Sequence, residues 1–251
     1  MSLIRLVAVD IDGCITPGEG HAADIEALGR LRDFNGRAAA DPLVPAVTLC
    51  TGRQQPFVDL MCQIIGVRGP AIFENGAGLH FPEPYGFKFH PAVTPKRQAD
   101  LAKLRALILE EMVSAGRTFI QPGKEASLSV YPARGVLVEE NAADLRDIMA
   151  RNGLEFDLDV SLCCVNILLP DLDKTAGFRF LADTVGLETG EIGAIGDAPG
   201  DLGYLKLAGF SGVPQNAVPE LKAAARYVSP LEFGWGSVDI IEQIIQANKK
   251  Q

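Results

Sequence analysis

Residues 6–18 read LVAVDIDGCITPG. Leu6, Val7, Ala8 and Val9 form a continuous apolar run, which predicts a strand buried on both faces, extending back over LIRLVAV (3–9). The run passes directly into Asp10 and Asp12, with only Ile11 between them. A buried strand ending in paired carboxylates is unfavourable unless a cation offsets the charge. This junction therefore raises a question of chemistry as well as of fold.

Working outward, HAADIEALGRLRDF (21–34) carries apolar residues at helical spacing, and VPAVTLC (44–50) is a second buried strand. QPFVDLMCQIIG (55–66) predicts a helix that stops at Gly66. PAIFENGAGLHF (70–81) predicts a third strand, a turn at Asn75-Gly76 and a short return strand. Strand alternating with helix implies a parallel sheet with right-handed crossovers.

The rhythm then changes. YGFKFH alternates and precedes a long helix over 95–116; TFIQP, ASLSVYP and LEFDLDVSLCCVNILL read as antiparallel strands around a helix at 141–153. Residues 84–170 are long enough for a small α+β domain. After them the first rhythm returns: a helix over DKTAGFRFLADTVGL, a strand at EIGAIGD, a helix at GDLGYLKLAG, a strand at FSGVPQ, and helices at PELKAAARYV and VDIIEQIIQANK. The expected organisation is α/β: a discontinuous core of residues 1–83 and 171–251, with an insert at 84–170.

Composition narrows the function classes. The chain has 251 residues, 47% of them hydrophobic, with 23 basic against 32 acidic residues and a net charge of -9. That balance argues against a nucleic-acid binder, which needs a basic footprint. It leaves small anionic substrates open, because the local field matters more than total charge. Five cysteines with no C-x-x-C spacing argue against a disulfide framework or zinc site and predict a reducing, cytoplasmic setting. No apolar stretch approaches a membrane span, and the early turn signal predicts no secretory leader.

Ligands of open parallel sheets sit beyond the carboxyl ends of the strands. Asp10 and Asp12 end the first strand, Thr51-Gly52-Arg53 the second, and Asp197 with Asp201 the strand in IGAIGDAPGD; Lys174 opens the helix after the insert. Hard carboxylate oxygens suit Mg²⁺ together with a substrate phosphate. A carboxylate beside that ion can attack phosphorus, and a second one two residues on can protonate the leaving oxygen and then activate water. Thr51 and the Gly52 N–H can hold phosphoryl oxygens, Arg53 beside them is a candidate substrate contact, Lys174 can neutralise charge, and Gly13 allows a tight turn.

DIDGCIT, CTGR, LDKTAG and IGDAPGD resemble, in order, the four motifs of the haloacid dehalogenase-like phosphatases. The resemblance spans the whole chain. The insert lies where the family's C2-type cap lies, so the implied architecture is a Rossmann-like core with an α+β cap. IFENGAG and VPQNAVPELKAAARYV resemble the branch of Cof-type sugar phosphatases, sucrose-phosphate phosphatase, mannosyl-3-phosphoglycerate phosphatase and archaeal phosphoglycolate phosphatase. The resemblance implies Asp10 as nucleophile, Asp12 as general acid/base, Thr51 as phosphate ligand and Lys174 as charge clamp. It implies Mg²⁺ held by Asp10, the Asp12 backbone carbonyl and Asp197, with Asp201 matching the second acid of the last motif. Two departures are Gly200 where Asn is usual, and Cys14 where Thr or Val is usual.

Each residue also has a plainer reading. Asp10 and Asp12 could close a turn, Thr51 and Asp201 could cap helices, and Lys174 could form a surface pair with Asp171 or Asp173. Lys124 and Glu125, in a turn before a strand, are candidates for substrate contact or simply solvated. Asn75 could contact the site or serve only its turn; Asn216 could cap a helix or buttress the phosphate loop. His21, His80 and His90 share no metal-ligand spacing, and Cys163-Cys164 reads as a strand pair with opposed side chains. The expected activity is Mg²⁺-dependent hydrolysis of a small phosphorylated metabolite, with no nucleic-acid or membrane partner. Oligomeric state is left open, a homodimer included. The rival readings are a phosphomutase, a non-catalytic phosphate-binding relative and a signalling receiver; Asp12 and the insert argue against the receiver.

Overall fold

The computed structural model describes residues 2–161 and 163–250. It divides into two compact units, one running to Lys88 and resuming at Lys174, the other spanning Phe89–Asp173.

In the first unit, β1 (Leu6–Val9), β2 (Ala46–Leu49), β10 (Ile192–Ile195), β11 (Phe210–Val213) and β12 (Tyr227–Val228) make a parallel sheet in the order β12-β11-β10-β1-β2. In register, Val7 lies between Val47 and Gly193. Val7, Ala8 and Val9 are fully buried. Burying each of the two valines contributes about 1.5–3 kcal/mol, so burial rather than strand propensity places β1 in the middle.

Helix α1 (Ile25–Ala38) begins where Asp24 accepts the N–H groups of Glu26 and Ala27 at 2.9 and 3.0 Å, and it buries Ala27, Leu28, Leu31 and Phe34. Helix α2 (Gln55–Ile65) ends at Gly66, whose φ of 68° is the left-handed stop the sequence predicts. On the other side of the sheet, α5 (Lys174–Val185), α6 (Leu202–Leu207) and α7 (Pro219–Ala224) pack Phe178, Leu181, Tyr204 and Leu221 against Leu6, Ala8 and Ala194. The last helix, α8 (Phe233–Asn248), meets α1 and β11.

In this unit three local expectations change. The third strand, β3 (Ala71–Phe73), touches the main sheet through the isolated Cys50–Ile72 bridge and has its ladder with β4 (Gly78–Phe81) instead. YGFKFH does not open the insert: β5 (Gly86–Phe89) extends the β3-β4 sheet, so the chain leaves the first unit only after Lys88. The segment 219–228 is not one helix, because Ala225 turns extended and Tyr227–Val228 pairs with Gly212 and Val213.

The second unit holds an antiparallel sheet in the order β6-β7-β9-β8, from β6 (Thr118–Ile120), β7 (Leu128–Pro132), β8 (Asp157–Val160) and β9 (Val165–Leu168). Helices α3 (Pro95–Ile108) and α4 (Val138–Asn152) bring Leu101, Leu104, Leu145 and Ile148 onto Leu128, Val130, Val165 and Ile167. The helix expected over 95–116 widens into a π turn at Leu109–Val113. Cys163 and Cys164 are in the β8–β9 turn rather than on a strand, because the Ser161 hydroxyl accepts both of their N–H groups. Among the described residues no disulfide joins the five cysteines. Among the described residues no helix is long and apolar enough to cross a membrane.

Candidate active site

Because β2, β1 and β10 are adjacent and parallel, their carboxyl ends lie side by side. Asp10 follows β1 immediately, while Thr51 and Asp197 each come two residues after β2 and β10. Lys174, the first residue of α5, joins them. Its Nζ lies 2.6 Å from Asp10 Oδ2 and 2.6 Å from Asp201 Oδ1. Asp10 is 5% exposed, Lys174 8% and Asp201 0%, so this is a buried ion triad. The surface-pair reading of Lys174 is excluded by that placement.

Asp201 is doubly engaged. Its Oδ2 accepts the N–H groups of Asp197 and Ala198 at 2.9 and 3.0 Å, which folds the loop after β10 back on itself. Its Oδ1 takes the lysine. Tyr204 steadies the same strand end by donating its hydroxyl to Ile195 O at 2.7 Å.

Asp10, Asp197 and Asp201 each place a carboxylate oxygen within 4.8 Å of the others. Burial pushes the Asp10 carboxyl up to about 8, with Asp201 and Asp197 adding to the effect and Lys174 opposing it. Burial and Asp201 likewise push Asp197 up to about 7. Burial alone would lower Lys174, but Asp10 and Asp201 carry it well above the ordinary lysine value. One ammonium does not balance three crowded carboxylates. The donor set is all hard oxygen and lacks positive charge, which fits Mg²⁺. Cys14, held neutral by burial and by Asp197, donates its thiol to Asp197 Oδ1 at 3.6 Å.

The carboxylate of Asp12 stands apart from that cluster. Arg53 grips it through Nε–Oδ2 at 2.7 Å and Nη2–Oδ1 at 2.6 Å. Arg53 also reaches Glu19 Oε1 at 3.1 Å and lies over the Phe57 ring at 4.9 Å. Sequence reasoning placed Arg53 on the substrate; the structure places it on Asp12. No spacing rule relates residues 12, 19 and 53, so this pairing had no signal in the sequence.

Thr51 is fully buried, and its Oγ1 accepts the Arg53 N–H at 3.2 Å. The turn after β3 is strapped to this loop by Asn75 N to Thr51 O (3.0 Å) and Glu74 N to Arg53 O (2.9 Å). Glu74 and Asn75 have φ of 47° and 55°, strained values for residues with a side chain. A Cβ on Gly52 would sit 2.9 Å from Asn75 Oδ1, so glycine is what allows the Asn75 amide to lie flat on the loop. Asn75 Nδ2 is buried with no hydrogen-bond partner.

Asn216 spends both ends of its amide on backbone, donating to Gly13 O at 2.8 Å and accepting from Phe233 N at 2.9 Å. It does not cap the helix that follows, α7, which begins after Val218. Ser237, which no motif marked, donates its hydroxyl to Cys14 O at 2.7 Å. Lys124 and Glu125 belong to the second unit. Lys124 is buried and its Nζ lies 2.5 Å from Ser129 Oγ, while Glu125 is exposed. His80 is buried against Gln55 and Asp59, His90 bonds the Ala92 N–H, and His21 is exposed.

Residues 148–232 match the family model described as haloacid dehalogenase-like hydrolase. A protein of Methanothrix thermoacetophila named phosphoglycolate phosphatase is 35% identical over 242 residues, covering 96% of this chain and 97% of its own. One of the same name from Methanococcoides burtonii is 26% identical, covering 96% of each. Among solved structures, a Thermoplasma acidophilum protein superposes with a TM-score of 0.73 at 22% identity, covering 100% of both chains. The sucrose-phosphatase of Synechocystis, solved with sucrose and phosphate, superposes with a TM-score of 0.70 at 17% identity, covering 97% of this chain and 98% of its own.

Proposed function

The chain belongs to the haloacid dehalogenase-like hydrolases, and we propose that this phosphatase cleaves a small phosphomonoester through an aspartyl-phosphate on Asp10. The observation that carries this reading is Lys174 set between Asp10 and Asp201 within a cluster of three carboxylates. A bare anionic cluster would repel phosphate; one that holds a fixed ammonium and fits a divalent cation attracts it.

Asp10, Asp197 and Asp201 would hold Mg²⁺, and when bound the ion would supply charge neutralisation to the phosphoryl group. The chain's own residues do the rest. Lys174 holds Oδ2 of Asp10 while the Ile11 N–H holds Oδ1 at 2.7 Å, and the two contacts together set the plane of the nucleophile. An Asp10 oxygen attacks phosphorus, and the bond to the leaving oxygen breaks as Asp12 gives that oxygen a proton. Asp12, now a carboxylate, takes a proton from water, which attacks phosphorus and releases inorganic phosphate and Asp10. Arg53 holds the Asp12 carboxyl group in one plane for both transfers. Thr51 and the Gly52 N–H hold phosphoryl oxygens.

The relatives' names support phosphoglycolate, or a similarly small phosphorylated acid, as the substrate. The test is phosphate release from 2-phosphoglycolate and from p-nitrophenyl phosphate with Mg²⁺. Asp10→Asn is expected to abolish both while leaving the circular dichroism spectrum unchanged; undiminished turnover by that variant refutes the nucleophile.

A further inference from the structure

We infer that Asn216 is a positioning residue that holds the Asp10 loop and the Asp197 loop at their working separation; this rests on the phosphatase reading of that site. The turn after β1 satisfies its own N–H groups. Gly13 N bonds Thr16 O, and the N–H groups of Cys14, Ile15 and Thr16 converge on Ile11 O. The carbonyls of Gly13 and Cys14 are taken from outside the turn, by Asn216 Nδ2 at 2.8 Å and Ser237 Oγ at 2.7 Å.

The other end of the Asn216 amide accepts the Phe233 N–H at 2.9 Å, where α8 begins. Phe233 has a φ of 48°, so this junction is held in a strained conformation. The same loop reaches the other acid as well, because Val218 N donates to Asp197 O at 3.0 Å. Residues 216–218 thus grip the Gly13 side and the Asp197 side at once.

The coupling is tight because Gly13 lies directly on the Asp197 carboxylate. A Cβ at Gly13 would come 2.1 Å from Asp197 Oδ2. Any shift of the Gly13 peptide therefore alters the space in which Asp197 meets Asp10. Asn216 acts through these groups and touches no reacting atom.

A second buried asparagine supplies the comparison. Asn248, at the far end of α8, bonds Ile4 N, Ile4 O and Leu43 O at 3.0, 2.9 and 3.0 Å, away from the acid cluster. If Asn216 were only structural, the two would behave alike when truncated.

The experiment compares Asn216→Ala, Asn216→Asp and Asn248→Ala in three measurements: melting temperature, kcat and KM for p-nitrophenyl phosphate, and Mg²⁺ binding by calorimetry without substrate. Both Asn216 variants are expected to lose about 30- to 100-fold in kcat with KM within about threefold. They are also expected to bind Mg²⁺ about 10-fold more weakly. Asn248→Ala is expected to melt earlier but to keep kcat and Mg²⁺ affinity. Should one Asn216 variant fail to fold, the other is read. Wild-type kcat and Mg²⁺ affinity in an Asn216 variant, or the same losses in Asn248→Ala, overturn the inference. If the wild type releases no phosphate, the phosphatase reading falls, and the Mg²⁺ titration still decides the role of Asn216.

Discussion

Arg53 meets both carboxylate oxygens of Asp12, at 2.7 and 2.6 Å, in the bidentate geometry that fixes a carboxylate's plane as well as its position. A lysine offers no such fork. Arg53→Lys should therefore weaken proton delivery to the leaving oxygen. The expected loss is about 10²-fold in kcat for an alkyl phosphate, and much less for p-nitrophenyl phosphate, whose leaving group departs without a proton. Parallel rate measurements on the two substrates check this; equal losses on both would show that Arg53 acts in a step the two substrates share and not in proton delivery to the leaving oxygen.

Removing the cation between Asp10 and Asp201 leaves buried carboxylates uncompensated. Lys174→Met is expected to lose about 10²–10³-fold in turnover. It should also unfold in urea with about 3 kcal/mol less stability in metal-free buffer at alkaline pH. The deficit should shrink on acidification, since protonating the carboxyls removes the repulsion. A variant as stable as the parent at every pH would mean that the lysine contributes nothing to holding the triad.

The raised carboxyls make a pH signature. Folded Asp10 and Asp197 titrate near about 8 and about 7, far above the unfolded values, so between those limits the folded state binds more protons than the unfolded one. Stability from these groups is complete at low pH and is lost as pH rises through about 7 to 8. Metal-free protein should melt at a lower temperature at about pH 8.5 than at about pH 6.5, and added Mg²⁺ should stabilise it more at the higher pH, because the ion competes with protons for the same oxygens. Thermal scans with and without EDTA measure both; a metal-free melting temperature that climbs with pH contradicts the burial of these acids.

Gly13 combines a φ of 83° with a missing Cβ that would lie 2.1 Å from Asp197 Oδ2. Gly13→Ala is expected to cost about 1–2 kcal/mol from the backbone conformation alone. Its larger effect should be on Mg²⁺ binding, because the methyl group occupies the place of the Asp197 carboxylate. Calorimetry on the folded variant reads this; Mg²⁺ affinity equal to wild type would show that Asp197 is free to move aside.

The parts legible in the sequence are those written in local pattern. Val7, Ala8 and Val9 announced a strand buried on both faces, and Gly66 announced the end of α2, since both signals reside in consecutive residues. Asp10, Asp197, Asp201 and Lys174 stood out because polar residues at the ends of apolar runs violate the local pattern. Errors came where two segments compete for one partner. Ala71–Phe73 pairs with its return strand as the Asn75-Gly76 turn predicted, but packing leaves β3 only the isolated Cys50–Ile72 bridge to the parallel sheet it was expected to join. Tyr227–Val228 has helical neighbours but pairs with β11.

By itself the sequence determined an α/β fold and a set of acids destined for the ends of parallel strands, because period and strand polarity leave those residues no other place. Tertiary structure alone decided how each side chain is spent: Arg53 on Asp12, Asn216 on Gly13, Lys174 shared between Asp10 and Asp201. Hydrogen bonds and ion pairs depend on distances of a few tenths of an ångström between residues far apart in the chain, and no spacing along a sequence encodes such distances.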